Sequence, residues 1–371
     1  MMYLSINIHQ DIANTIFKHT DLKSSEFRIM SKSIICLVAI FLVAGCSQNM
    51  KQGKLVTVKG EIPVEEMGIS LIHEHILVDF IGADSSGPHR WEKSKVMERA
   101  LPFLMEAKRK GVNTFFECTP AFLGRDPILL RELSEKTGVN IITNTGYYGV
   151  GDNKYVPEHA LSETAEEIAQ VWIGEFNNGI DGSGVYPGFI KISVDWKDAL
   201  SSTHSKIVKA AAITHKATGM AIVSHTGTDG PAFAQLEILK TEGVSPEAFV
   251  WTHAQHGTFE GHVKAAKQGA WVSLDNVNRD NSNKPGGIDW FVALLTKLKK
   301  ENVLHKILIS HDAGWYDPGQ ENGGSFRGYT DIFEHLIPAL MRSGFSQEDI
   351  DLLLVKNPQS AYAVNIREID K

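Results

Sequence analysis

The chain has 371 residues, of which 43% are hydrophobic and 22% are charged, a composition typical of a globular protein with one sizeable core. It excludes a disordered chain, a fibrous repeat and a coiled coil, and three cysteines are too few for a disulfide framework. The 37 basic and 44 acidic residues give a formal net charge of −7, so nucleic-acid binding through a broad basic surface is not expected.

The start of the chain has the features of a bacterial secretion signal. A short apolar run at 34–45 follows the basic Lys32 and precedes Cys46. Such a run is too short to span a bilayer, which takes about 20 residues, but it suits the apolar part of a signal peptide. Small residues followed by Cys resemble a lipoprotein cleavage site. We therefore predict a signal peptide at 30–45 and lipidation of Cys46, with a buried core segment as the alternative.

This prediction divides the chain into four parts. Met30 is then the true start, and residues 1–29 are a wrongly assigned extension or, alternatively, an unusually long basic region of the signal. A polar linker covers 46–54, and residues 55–371 form one folded domain. Ser47 directly after the lipidated Cys resembles an outer-membrane signal. We expect the lipid to attach the protein to the outer membrane of a bacterial envelope.

Along the rest of the chain, short apolar runs alternate with longer amphipathic stretches. The predicted strands are 69–72, 114–116, 140–143, 189–193, 221–224, 249–252, 270–274 and 306–310. The predicted helices are 96–110, 126–137, 162–177, 206–218, 232–242, 259–268 and 290–301. Strands that alternate with helices indicate a parallel sheet, and this many repeats predict an α/β fold of the (β/α)8 or TIM-barrel type. A doubly wound open sheet is the alternative, but no glycine-rich phosphate-binding turn follows the first strand.

The first predicted strand ends in His73-Glu74-His75. Alternate residues of a strand face the same side, so both imidazoles can enter one site while Glu74 points away. Lys191 lies inside the apolar fourth strand, where an unpaired ammonium would be costly to bury. A lysine that extends to the barrel mouth is the alternative.

Three more polar residues end predicted strands: His225 the fifth, His253 the sixth and Asp312 the eighth. Each alone is more often structural than functional. In a (β/α)8 barrel, however, the carboxyl ends of all strands converge on one mouth, which is where active sites lie. Imidazoles, a carboxylate and a lysine gathered there pack poorly but suit ligation of a first-row metal.

The chain resembles the phosphotriesterase family of the amidohydrolase superfamily from about residue 61 to about residue 362. The motifs that carry the resemblance are Ile72-His73-Glu74-His75, Phe189-Ile190-Lys191-Ile192, Ser224-His225-Thr226, Thr252-His253-Ala254 and Leu308-Ile309-Ser310-His311-Asp312.

The resemblance implies a binuclear centre of divalent metal ions, commonly zinc. Its ligands would be His73, His75, Lys191, His225, His253 and Asp312. The first two histidines and the aspartate would hold the more buried ion, and the other two histidines the more exposed one. The lysine, carboxylated by CO2, would bridge both ions together with a hydroxide.

Each implied role has a chemical reason. An ammonium has no lone pair for a metal, whereas a carbamate has two oxygens suited to ions about 3.5–4 Å apart. Carboxylation of Lys191 needs a neutral amine, which burial favours. Metal ions lower the pKa of bound water from about 15.7 towards about 7, and Asp312 beside that water can take its proton as general base.

Further residues near the predicted mouth are candidates for substrate binding or proton transfer. Tyr147 and Tyr148 follow the third strand and Trp315 the eighth; core or rim aromatic residues are the alternative. Arg279, in a loop rich in Asn, Gly and Pro, or Arg327, in the region after the eighth strand, is a candidate to meet an anionic group, unless the Arg279 loop is only solvated. His256 stands where the family often has Asp, and imidazole chemistry suits a proton shuttle.

The predicted function is hydrolysis of a small molecule, a lactone, ester or phosphotriester, by the metal-bridging hydroxide. One alternative is an amide or N-acyl hydrolase on the same site, in which His256 becomes essential because the leaving nitrogen must be protonated. Another is a lipid-anchored protein that binds metal or ligand without turnover. The resemblance also implies a possible homodimer, since dimers are common in that family.

Overall fold

The computed structural model describes residues 53–281 and 284–369, which belong to one compact unit. The predicted extension, the signal peptide and Cys46 lie outside the described residues. The predicted linker is one residue too long, because Lys54 already begins a strand. Among the helices of the described residues, none combines the length and apolarity needed to cross a membrane.

The predicted (β/α)8 barrel is confirmed. An antiparallel hairpin, β1 (Lys54–Thr57) and β2 (Gly60–Pro63), comes first. The barrel strands are β3 (Ile69–Glu74), β4 (Val112–Glu117), β5 (Asn140–Ile142), β6 (Asn144–Thr145), β7 (Phe189–Ser193), β8 (Ile222–His225), β9 (Phe249–Thr252), β10 (Trp271–Leu274) and β11 (Ile307–Ile309). Only Thr143 separates β5 from β6, which together form the third predicted strand.

The strands pair in parallel in the order β3-β4-β5 and β6-β7-β8-β9-β10-β11. Between β11 and β3 the barrel is joined by hydrogen bonds at the strand ends. The Asp312 amide donates to the His73 carbonyl at 3.0 Å, and the His75 amide to the Ala313 carbonyl at 2.8 Å. The carboxyl ends of the first and last strands are thereby fixed against each other, which is where the ligands were predicted.

A bulge in β3 orients the first histidine pair. Leu71 pairs with Phe115 and Glu74 with Glu117, so three steps along β3 oppose two steps along β4. Bulges of this kind redirect side chains next to active sites. The period-two pattern of the sequence predicts that His73 and His75 share a face, but it does not predict this bulge.

Amphipathic helices cover the barrel, and all seven predicted helices are present within three or four residues of the expected ends. The helices are α1 (Lys93–Arg109), α2 (Pro127–Thr137), α3 (Glu158–Ser162), α4 (Ala165–Asn178), α5 (Ser202–Thr218), α6 (Asp229–Thr241), α7 (Phe259–Lys267), α8 (Ile288–Lys300), α9 (Ile337–Arg342), α10 (Gln347–Asp351) and α11 (Asn357–Tyr362). Helix α4 begins later than predicted because Thr164 and Glu167 form a capping box.

The barrel interior and the helix layer are packed from opposite faces of the strands. In β7, Ile190 and Ile192 belong to the core between strands and helices, whereas Phe189 belongs to the core inside the barrel. Alternation along the strand therefore turns Lys191 towards the barrel axis, where it is 1% exposed.

A substitution at Gly146 tests how closely the chain at the end of the third predicted strand packs against the backbone of Lys191. Its φ is +121°, and a Cβ there would overlap the main-chain carbonyl of Lys191. We expect Gly146→Ala to lower the free energy of unfolding by about 2 kcal/mol or more, through steric overlap and backbone strain.

Gly174→Ala is the matched control, because Gly174 lies inside α4 with open space around its Cα. That change should stabilise the protein by about 0.5–1 kcal/mol. Denaturant unfolding of both variants measures the difference, and equal stabilities would contradict the packing described for Gly146.

Candidate metal centre

Three donor groups from the first and last strands meet at the carboxyl end of the barrel. His75 Nε2 lies 3.1 Å from Asp312 Oδ1, and His73 Nε2 lies 3.8 Å from the same oxygen. Lys191 Nζ is 3.3 Å from His73 Nε2. The donor atoms of His73, His75 and Asp312 have the spacing of a metal site.

His225 and His253 complete the cluster on the side of β8 and β9. Their ring centroids are 4.2 Å apart, and the His253 ring is 4.9 Å from that of His73. All six predicted ligands line a single cavity of about 40 Å³, together with Val78, Phe80, Pro120, Leu123, Tyr148 and Trp315. The structure thus brings together every residue predicted to bind metal.

Asp275, which follows β10, orients two of these imidazoles. Its carboxylate accepts from Nδ1 of His73 and from Nδ1 of His253, both at 2.8 Å. It also accepts from the His253 amide at 3.1 Å and from the Ser273 hydroxyl at 2.9 Å. Because Nδ1 is the donor, Nε2 of each ring keeps a lone pair for a metal ion.

A hydroxyl orients His75 in the same way. His75 Nδ1 donates to the Thr119 hydroxyl at 2.8 Å, and that hydroxyl donates to the Glu117 carboxylate at 2.6 Å. Glu117 also accepts from the Ile76 amide at 3.1 Å. Burial raises the pKa of Glu117, although the nearby His75 and these hydrogen bonds oppose the shift. His75 Nε2 is thereby directed towards Asp312.

Glu74 points away from the cavity, as the alternation of the strand predicts. Its carboxylate accepts from the Ser310 hydroxyl at 2.7 Å, the His311 ring at 2.8 Å and the Ala313 amide at 3.0 Å. This buried carboxylate therefore fixes the chain on both sides of Asp312.

Two of the clustered residues have a left-handed backbone. The φ of His253 is +56° and that of Asp312 is +52°. Non-glycine residues adopt this conformation at a cost of order 1–3 kcal/mol, and such residues concentrate at functional sites. The guanidinium of Arg327 donates to the carbonyls of His311 and Asp312, which helps to hold the strained turn.

The electrostatics of the cluster favour a neutral imidazole at His73 and His225 but act in the opposite direction at His253. Burial, assisted by the charge of Lys191, lowers the pKa of His73 to about 4. Burial and the neighbouring His253 lower the pKa of His225 well below its usual value. For His253, burial lowers the pKa, but Asp275 outweighs it and the net shift is upward.

The two carboxylates remain anionic despite their burial. Burial raises the pKa of Asp275, but His253 and His73 overcome it and the pKa lies well below its ordinary value. For Asp312, the neighbouring His75, His253 and His73 likewise outweigh burial and lower the pKa. Anionic carboxylates and neutral imidazoles are the forms that bind divalent metals.

The chemistry of the donor set fits a pair of divalent cations. Asp312 Oδ1 is buried and has no hydrogen-bond partner among the described residues. Lys191 is buried beside His73, and no described carboxylate lies within 4.0 Å of its Nζ. A lone oxygen and a lysine buried without a counter-charge are expensive arrangements that ligation, with carboxylation of the amine, would relieve.

The predicted substrate residues divide into two groups. Tyr148 and Trp315 line the metal cavity, with the Tyr148 hydroxyl 3.1 Å from His225 Nδ1. Tyr147 faces away from the cavity, contrary to the prediction, because consecutive residues in an extended segment point to opposite sides. Its ring packs against Trp172 at 5.2 Å.

Two further predicted residues lie outside the cavity. The Arg279 side chain is 56% exposed and lies 3.8 Å from Asp331, so the loop turns it to solvent rather than to the metal ligands. His256 is exposed at the rim, where its ring lies 4.5 Å from that of Trp196. Burial and the nearby His253 lower the pKa of His256, so it suits proton acceptance better than donation at neutral pH.

Sequence reasoning missed the residues that orient the ligands. Asp275 was the one most open to detection, since it follows a predicted strand just as His253 and Asp312 do. Thr119 and Glu117 carry no such signal, because their role depends on the contact between β3 and β4. Phe80 was also missed: it lies in a loop, and only the folded chain places it over the cavity.

The fold and the donor set define a metal-dependent hydrolase with an amidohydrolase-like barrel. The sequence model of the phosphotriesterase family matches residues 53–362. The chain belongs to the phosphotriesterase family, whose members depend on a binuclear metal centre.

Relatives within the family differ in the activity that their names state. The chain is 28% identical over 296 residues to the phosphotriesterase homology protein of Escherichia coli, covering 80% of this chain and 98% of that protein. It is 28% identical to an aryldialkylphosphatase of Saccharolobus solfataricus, over 82% of this chain and 98% of the relative. It is 26% identical to an N-acetyltaurine hydrolase of Xenopus tropicalis, over 83% and 97%.

The fold has a solved counterpart. The crystal structure of the E. coli phosphotriesterase homology protein, with phosphate in its active site, superposes with a TM-score of 0.68. The sequences are 26% identical, and the match covers 79% of this chain and 98% of that protein.

Asp275→Asn tests the claim that one carboxylate orients two ligands. The asparagine side chain has one acceptor oxygen and no negative charge, so it cannot accept the Nδ1 protons of both histidines as the carboxylate does. We therefore expect zinc affinity and activity to fall by about 10- to 100-fold. Competition with a chromophoric chelator measures the affinity. Asp289→Asn, an exposed change in the first turn of α8, is the control; unchanged zinc affinity in Asp275→Asn would contradict the orienting role.

Proposed function

We propose that the protein is a binuclear zinc hydrolase that cleaves a carboxylic ester, a lactone or a phosphotriester. The observation that carries the proposal is the single cavity lined by all six donors, with Lys191 buried among the histidines. The more buried ion would be held by the β3 histidines and Asp312. The other would be held by His225 and His253.

Lys191 would join the two ions as a carbamate. The neutral amine of Lys191 attacks the carbon of CO2, an N–C bond forms, and an N–H proton leaves to water. The product is an anion with two oxygens, which would suit a ligand shared by two divalent cations. His73, whose Nε2 lies 3.3 Å from Lys191 Nζ, is already beside the group that would form.

The chain's own residues support a hydrolytic step. When bound, the two cations would acidify a water and polarise the oxygen of the scissile group. Asp312 lies at the cavity as an anion and would accept the proton of the attacking water. Asp275 and Thr119 hold the imidazoles in place, so little reorganisation is needed. Phe80 and Trp315, whose rings are 5.5 Å apart, form an aromatic wall of the cavity.

The second candidate is hydrolysis of an amide or N-acyl compound on the same site. The N-acetyltaurine hydrolases among the relatives favour it. An amide leaving group needs a proton, and His256 is the predicted donor. Its lowered pKa reduces the fraction of protonated imidazole at neutral pH, and its exposed position lies outside the metal cavity, so we rank the ester and phosphotriester chemistry first.

Asp312→Asn combined with a substrate panel tests the proposal. The panel holds γ- and δ-lactones, aryl esters, N-acyl amides and an aryl dialkyl phosphate, each assayed with zinc and bicarbonate. We expect turnover of an ester, lactone or phosphotriester, and a loss of about 10²–10⁴-fold in kcat for Asp312→Asn because the proton acceptor is gone.

Asp289→Asn, the exposed change at the start of α8, should keep full activity. Preference for amides, with a large loss in His256→Gln, would support the second candidate instead. Zinc binding without turnover of any class would favour the binding-protein alternative and overturn the proposal.

A further inference from the structure

A second cavity lies beside the metal cavity and shares a wall with it. Its volume is about 330 Å³, and Val78, Phe80, Asp312 and Trp315 line both cavities. The metal cavity, at about 40 Å³, has room for a few water-sized groups only. Any substrate larger than its reacting group must therefore extend beyond the ligands, and the neighbouring cavity begins at Asp312 itself.

The residues that line only the second cavity are Gly314, Asp317, Gln320, Ser325 and Arg327, and four of these five have polar or charged side chains. The shared residues Val78, Phe80 and Trp315 give the cavity an apolar wall as well. The cavity can therefore pack an apolar part of a substrate and hydrogen-bond a polar part.

Arg327 is the charged donor of this lining. Its Nη1 donates to the Val277 carbonyl at 3.0 Å, and its Nη2 donates to the carbonyls of Asp312, at 3.0 Å, and of His311. These contacts clamp the planar guanidinium between the ends of β10 and β11. Its Nε and the second Nη1 hydrogen have no partner among the described residues, and a guanidinium offers five N–H donors in all.

The positive charge of Arg327 also lacks a carboxylate partner. Other shielded arginines pair closely: Arg90 with Asp79 at 3.1 Å and Arg125 with Glu175 at 2.7 Å. No described carboxylate lies within 4.0 Å of the Arg327 guanidinium. A partly buried arginine held only by carbonyl oxygens retains capacity for an anion, and the fork geometry suits a carboxylate, sulfonate or phosphate.

Asp317, in the same lining, does not neutralise Arg327. Its Oδ1 accepts from the Gly319 amide and its Oδ2 from the Gln320 side chain, each at 2.8 Å. Both oxygens are thereby engaged within their own turn. The carboxylate of Asp312 lines the cavity as well, so the lining holds one guanidinium and two carboxylates, neither of which lies within 4.0 Å of the guanidinium.

We propose that this second cavity binds an anionic oxygen group of the substrate, with Arg327 as the specificity-determining residue that contacts it. The inference rests on the proposed function, since it places the remainder of a molecule whose hydrolysed centre lies beside Asp312. The substrate class would then be an ester, lactone or related acyl compound with a carboxylate, sulfonate or phosphate away from the scissile bond.

Matched substrate pairs test the inference. Each pair shares one scissile group, an aryl ester or a lactone, and differs only in a distal carboxylate against its amide, or a phosphate against its alcohol. We expect the wild-type protein to favour the anionic member by about tenfold or more in kcat/KM, mainly through KM, because hydrogen bonds to charged groups are strong. In Arg327→Gln the ratio should fall to about one.

Two further variants separate charge recognition from loop structure. Arg327→Lys keeps the charge but loses the fork, so it should retain part of the preference. Arg342→Gln removes an exposed arginine of α9 and should leave the ratio unchanged. Zinc content and thermal melting of each variant report whether the turn at Asp312 is intact.

The outcomes distinguish this inference from the proposed function. If the wild-type protein hydrolyses neither member of any pair nor the aryl dialkyl phosphate, the proposed function fails; if it hydrolyses only the aryl dialkyl phosphate, the inference alone is wrong. If it hydrolyses both equally, or if Arg327→Gln slows both by the same factor, Arg327 only positions the Asp312 turn and the inference is wrong.

Discussion

The buried carboxylate of Asp275 is the constraint on which the candidate metal centre depends. It accepts the Nδ1 protons of His73, on β3, and of His253, which follows β9; β10 and β11 lie between these two strands. One anion thus sets the tautomer and direction of a ligand assigned to each ion. Without it, the lone pairs of the two rings would have no fixed orientation, and the cluster would be four histidines in a cavity rather than a preorganised site.

The site is organised at the expense of stability. Buried carboxylates, a buried lysine and left-handed residues at His253 and Asp312 are each unfavourable for a folded chain by themselves. The surrounding network limits the cost, since Glu74 and Arg327 bind the backbone on either side of Asp312. Metal binding would offset more of it, so we interpret the arrangement as one selected for ligation rather than for packing.

Much of the fold was predictable because its signals are local. Apolar runs of strand length and amphipathic helices are recognised by the periodicity of their hydrophobic residues, and the polar residues at strand ends by their position after such runs. The carboxyl ends of all strands meet at the mouth of a (β/α)8 barrel, so His73, Lys191 and Asp312 could be assigned to one site from the sequence alone. The bulge in β3 left no such signal, although it turns the first histidine pair inward.

The parts that escaped prediction depend on contacts between distant segments. Tyr147 and Tyr148 are neighbours in sequence, and only the path of the chain decides that Tyr148 reaches His225. Arg279 and Arg327 both lie in loops at the mouth, yet one is turned to solvent and the other is clamped by carbonyls beside Asp312. Loop conformation, which no period encodes, therefore decides the substrate side of the site.

The most direct test of the central claim is anomalous diffraction at the zinc edge from crystals of the zinc-loaded protein. The account predicts two peaks about 3.5–4 Å apart, one among His73, His75 and Asp312 and the other beside His225 and His253. Density on Lys191 should extend between them. A single peak, or none near these residues, would contradict the binuclear centre.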